Sequence, residues 1–135
     1  VTVSQVQLGN AAGLWAMCQI RGLPDRVGLA VICCVLDESS LQNVTHGDLS
    51  NATSIGFFQQ TSLYGPVQDR VDPAKSLAMF LDGGPDSQPA FLAQPYTVGT
   101  LDDLARCIQA VQGSQYNGKD IDPKTGKPYV YAGNY

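Results

Sequence analysis

Apolar side chains recur at helical spacing in four stretches of the chain, and a polar interval separates the second from the third. Over residues 4–20, SQVQLGNAAGLWAMCQI, the residues Val6, Leu14, Trp15, Met17 and Cys18 fall near one helix face, with Ser4 or Asn10 as the start signal and Arg21-Gly22 as the end. Gly22 then acts as a C-terminal stop and Pro24 as a first-turn residue, so a second helix is predicted from about Pro24 to Glu38. DPAKSLAMFLDG, residues 72–83, predicts a third: Asp72 caps it, Pro73 takes its first position, Ala74, Leu77, Ala78 and Leu81 line one face, and Gly83 stops it. The fourth starts at the cap Thr100 and carries Leu101, Leu104, Ala105, Ile108 and Val111 on its apolar side.

Between these elements the chemistry changes. Residues 42–54 turn to Asn, Thr, Gly, Asp and Ser, which favour loops or an irregular hairpin. Residues 84–97 are punctuated by Gly84, Pro85, Pro89 and Pro95, and read as a long connection of the mobile kind. The tail after Tyr116 is rich in turn residues and tyrosine. The expected architecture is mainly α: a bundle-like set of helices with a polar loop or hairpin inserted between the second and third.

Composition narrows this further. The chain has 135 residues, enough for one real core and too few for two, so residues 1–135 are expected to form a single domain. An apolar fraction of 44% against 15% charged residues is the balance of a folded globular protein. A net charge of −4 offers no basic footprint for nucleic acid. The longest apolar run, Leu29 to Leu36, is far shorter than the roughly 20 residues a membrane-spanning helix needs. No charged leader with a cleavage site opens the chain, and without an initiator Met it reads as a processed product or an excised domain. Cys18, Cys33, Cys34 and Cys107 show no metal-ligand spacing and read as buried thiols, with one disulfide, Cys18 to Cys107 or Cys33, as the alternative outside the cytosol.

The candidate chemistry lies where the greasiest segment ends. CCVLDESSLQN, residues 33–43, runs apolar residues into Asp37 and Glu38. Burial penalises the charged form of a carboxyl, and the negative end of a helix dipole adds to the penalty. Glu38 is therefore a candidate general acid near neutral pH, in the manner the lysozyme glutamate illustrates. Asp37, about 100° away around the helix, is expected to face solvent.

Several motifs in order resemble one superfamily. Glu38-Ser39 closing a helix, followed by Gly56-Phe57-Phe58-Gln59, is similar to the pattern of lysozyme-like proteins that include soluble lytic transglycosylases and goose-type lysozymes. More closely, RGLP (21–24), LDESSLQN (36–43), Gly47-Asp48, SIGFFQQ (54–60), DPAKSLAMF (72–80) and AVQGSQY (110–116) resemble transglycosylase-like domains of actinobacterial wall proteins and their phages. The ordered match covers most of residues 8–116.

That resemblance implies an α+β lysozyme-like fold with a substrate cleft. It implies cleavage of the β-1,4 bond between N-acetylmuramic acid and N-acetylglucosamine, with peptidoglycan glycan strands as partner. Glu38 would protonate the glycosidic oxygen and then, in the transglycosylase route, take the proton of the muramoyl 6-hydroxyl to leave a 1,6-anhydro end. A hydrolase would need a second carboxylate. Asp48 is the candidate, against its alternative as a turn former. Gly56 would let backbone approach sugar, Gln59 and Gln60 would bond acetamido and hydroxyl groups, and Phe57 or Phe58 would pack on a pyranose face unless it belongs to the core. Tyr116 matches a family tyrosine whose hydroxyl points at the glutamate, and Ser39 a serine that orients loop or substrate. No metal or organic cofactor is implied. The protein is expected to act as a monomer at the bacterial cell wall, whether secreted, released as an endolysin or carried on a virion.

The chain departs from the family where the transglycosylases commonly carry Met in place of Phe58, and where TSLYGP follows the glutamines instead of Arg-Pro and a Trp-bearing segment. Peptidase or zinc chemistry fits poorly, since His46 is the one histidine and Cys33 and Cys34 lie in the apolar run. The serious rival is a non-catalytic wall-binding or virion-structural module that retains the fold.

Overall fold

The computed structural model describes residues 2–45, 54–112 and 126. Among them the architecture is mainly helical: α1 (Gln5–Ile20), α2 (Asp25–Ser39), α3 (Val67–Arg70), α4 (Pro73–Asp82) and α5 (Leu101–Gln112), with 3₁₀ turns at Ser62–Tyr64 and Phe91–Ala93. Strand-like pairing among these residues is confined to one antiparallel bridge, Ile55 to Gln60.

Local chemistry sets the helix ends. Ser4 accepts from the Gln7 amide while the Gln7 side chain accepts from the Ser4 N–H, a reciprocal cap that starts α1 at the first of its two candidate signals. Asp72 caps α4 through the Lys75 N–H, with Pro73 next to it where a missing N–H costs nothing. Thr100 and Asp103 exchange bonds at the start of α5 in the same reciprocal way. Pro24 sits one position earlier than expected, in extended backbone before Asp25, so it precedes the first turn of α2 rather than entering it.

α1 and α2 pack antiparallel: Gln7 and Asn10, early in α1, donate to the Ser40 and Leu41 carbonyls just past the end of α2. Trp15 covers Gly28, where a Cβ would meet the indole at 2.7 Å. Leu14 and Cys18 of α1, Val27, Val31, Cys34 and Val35 of α2, Leu77, Phe80 and Leu81 of α4 and Leu104, Ile108 and Val111 of α5 join one core. Val6 and Leu101, placed on apolar faces by periodicity, are instead exposed at helix starts.

The long connection over 84–97 is pinned. Phe91 is fully buried and stacks between Phe80 (ring centroids 5.3 Å) and Tyr96 (5.4 Å), and Phe80 stacks in turn on Phe58 at 4.8 Å. The Arg26 guanidinium of α2 donates to the carbonyls of Tyr96 (2.5 Å) and Thr100 (2.8 Å), tying the end of the connection to the second helix. Proline and glycine mark where the path turns; one aromatic and one arginine decide that it stays put.

Candidate functional site around Glu38

α2 buries one stripe, and Glu38 continues it. At about 100° per residue, Val27, Val31, Cys34 and Glu38 fall within an arc of about 60°. The first three are fully buried and Glu38, one turn beyond Cys34, is half-buried at the helix end. Asp37 is exposed, as its offset around the helix requires. Burial pushes the Cys34 thiol well above its ordinary range, and the neighbouring negative charges, Glu38 first, push it further.

The helix closes sharply after this carboxyl. Ser40 and Leu41 both take left-handed backbone (φ 54° and 58°), with the Ser40 N–H bonded to Leu36 O and the Leu41 N–H to Val35 O. The second of these left-handed residues returns an apolar side chain, Leu41, to the core. Ser39 then reaches across: its Oγ lies 2.8 Å from the Phe57 carbonyl and 3.1 Å from Val35 O, two acceptors for a single hydroxyl proton.

That places the 55–60 loop against the end of α2. The loop is a tight hairpin closed by the Ile55 N–H to Gln60 O (3.2 Å) and the Gln60 N–H to Ile55 O (3.0 Å). Gly56, at φ 80°, donates to Val44 O at 2.6 Å, and a side chain there would be driven into the Arg70 carbonyl. Glycine is required for both conformation and clearance. Gln59 also holds positive φ (49°); its amide N–H and its Nε2 both donate to Gly56 O, and its side chain remains half-buried.

Two expected substrate contacts are corrected by burial. Phe58 is 1% exposed and Phe57 is 3% exposed, so both rings belong to the core and have no face left for a sugar. Gln60 is 3% exposed, with its Nε2 donating to Ser76 O at 3.0 Å; its amide fastens the loop to α4 rather than facing outward. Asp48, Tyr116 and His46 lie outside the described residues. All four cysteines are free thiols, which removes the disulfide alternative.

Two holders of the loop, Arg70 and Gln112, and one bond beside it, from Asn43, escaped sequence reasoning. Arg70 is buried and donates to the carbonyls of Gly65 (2.9 Å) and Gln60 (3.1 Å). Asn43 donates to Val71 O at 2.6 Å. Gln112, the last residue of α5, donates to Phe58 O at 2.9 Å. Its signal was present: Leu104, Ile108 and Gln112 share one register, so an amide stands where the core stripe would take an apolar residue.

The arrangement joins a half-buried carboxyl at a helix end to a loop whose backbone is held from four directions. Recesses of about 260 Å³ lie elsewhere, one lined by Asp103, Arg106 and Cys107 and another by Met17, Ile20 and Leu77. Among the described residues no three His, Cys, Asp or Glu side chains gather as a metal site would require, and no helix is long and apolar enough to cross a membrane. Comparison of the chain with protein-family models finds no match, and comparison with curated proteins finds none either.

Proposed function

We propose that the protein cleaves the β-1,4 glycosidic bond between N-acetylmuramic acid and N-acetylglucosamine in peptidoglycan, within a lysozyme-like fold, with Glu38 as general acid and then base. The observation that carries the reading is that Glu38 lies in register with the buried stripe of α2 yet ends half-exposed at the helix C-terminus. In this reading the carboxyl rests protonated, the form that can give a proton to a leaving oxygen. Gln59, half-buried on the loop tied to Ser39, supplies an amide for acetamido or hydroxyl groups, whereas the expected sugar approach at Gly56 gives way to the Arg70 carbonyl, against which that glycine is buried.

In this reading Glu38 protonates the bridging oxygen as the glycosidic bond breaks. It then removes the proton of the muramoyl 6-hydroxyl as that oxygen closes on the anomeric carbon, so one proton is given and one recovered. Glu38→Gln keeps the shape and removes the acid, and is expected to lower release of soluble fragments from purified actinobacterial walls by about a hundredfold or more. Mass spectrometry of the fragments separates 1,6-anhydro ends from reducing ends, the latter calling for a second carboxylate such as Asp48. Equal, zero release by parent and variant, with wall binding retained, would replace the enzyme by a glycan-binding module.

A further inference from the structure

We infer that Gln112 is a positioning residue for the Glu38 site, acting through the 55–60 loop; the inference rests on reading Glu38 as the acid. Two successive carbonyls of the loop are taken up by the last residues of two different helices. Ser39 Oγ, beside Glu38, donates to Phe57 O at 2.8 Å, and Gln112 Nε2 donates to Phe58 O at 2.9 Å. The loop is thus suspended between the end of α2 and the end of α5, and the peptide that Gln112 holds leads directly into Gln59 at its positive φ.

Gln112 holds the Phe58 carbonyl from outside the loop. The Ile55–Gln60 hairpin bonds, the Gln60 anchor on Ser76 and the Phe58–Phe80 stack fix the loop's flanks and its buried ring. They leave the Phe58 carbonyl to the amide of α5, while the N–H of the same Phe58–Gln59 peptide bonds to Gly56 O within the loop at 3.3 Å. Core packing alone gives no reason for glutamine there, since Leu104 and Ile108 already define an apolar register. Loss of the Gln112 donor is therefore expected to turn that peptide and carry the Gln59 side chain away from its bond to Gly56 O, while the helices and the aromatic stack persist.

The test uses the full chain with Gln112→Leu and Gln112→Glu, assayed on glycan strands, by thermal unfolding and by amide exchange. Gln112→Leu is expected to retain a cooperative transition and to lower kcat about tenfold with little change in KM, because misplacement costs the reacting geometry more than binding. Gln112→Glu places an anion against the Phe58 carbonyl at neutral pH and should match the leucine variant there. Below a carboxyl pKa of about 4.3 its O–H can donate, so activity relative to parent should recover as the pH falls. Parent-like kcat in Gln112→Leu, or a Gln112→Glu deficit that ignores pH, overturns the inference. Should the parent itself show no turnover, the proposed function fails and the exchange arm still decides the clamp: faster exchange of the Gln59 and Gln60 amides in Gln112→Leu supports it, and unchanged exchange refutes it.

Discussion

Two glycines in left-handed backbone allow the cost of conformation to be separated from the cost of collision. Gly22, at φ 72°, ends α1 with nothing within 4 Å of where a Cβ would stand. Gly56, at φ 80°, would push a Cβ into the Arg70 carbonyl, with Arg70 C only 3.2 Å away. Alanine in left-handed backbone costs roughly 1–2 kcal/mol, and this is all that Gly22→Ala should lose. Gly56→Ala adds the displacement of a buried segment, about 1–3 kcal/mol as in other overpacked interiors, for a total of about 2–5 kcal/mol. Arg70 cannot yield freely, because its own side chain holds the Gly65 and Gln60 carbonyls. At about 4 °C per kcal/mol for a domain of this size, the melting temperature should fall about 4–8 °C in Gly22→Ala and about 8–20 °C in Gly56→Ala. Urea unfolding of both variants beside the parent measures the difference directly. If the two lose the same stability to within about 0.5 kcal/mol, the close seating of the loop on α3 is wrong.

Phe80→Ala removes the ring between Phe58 and Phe91 and should cost about 3–5 kcal/mol by denaturant unfolding, whereas Leu63→Ala, at an exposed position, should stay within about 0.5 kcal/mol; comparable losses would refute the aromatic stack as the centre of the core. Burial raises the thiols of Cys18, Cys33, Cys34 and Cys107, so the folded chain keeps protons that the unfolded chain gives up above about pH 8.5. The neutral thiols' contribution is present in full below that pH and lost as the pH climbs toward the folded values. Unfolding free energy should therefore decline from pH 8 to 10, less steeply in Cys34→Ala, and a slope identical to the parent would contradict the placement of Cys34.

Sequence made the long helices legible because each carries more than two turns of pattern, and α1, α4 and α5 also a cap written in nearby residues: Ser4 with Gln7, Asp72 with Lys75, Thr100 with Asp103. α3 spans four residues and the 3₁₀ turns three, less than a repeat of any periodicity, so no pattern could announce them. The same limit applies to the loop. That Gln60 turns inward depends on an acceptor at Ser76, sixteen positions away, and that Phe58 is core depends on Phe80 and Phe91 arriving from two later segments.

Glu38 was legible for a different reason: helical register carries information past the last buried residue. Cys34 is sealed and Glu38 follows it by four, so the carboxyl must start along the core face whatever the chain does next. The left-handed pair Ser40-Leu41 then ends the helix before a further turn could cover that carboxyl, and Leu41 itself fills the core on the way out. Left-handed backbone at two successive non-glycine residues costs roughly 1–2 kcal/mol each, offset here by the two closing bonds to Leu36 O and Val35 O and by the burial of Leu41. Lengthening α2 by a turn would relieve that strain but place more chain over Glu38 and withdraw Ser39 from Phe57 O. The strained exit and the half-exposed acid are thus one feature: the helix stops where stopping leaves a carboxyl between core and loop.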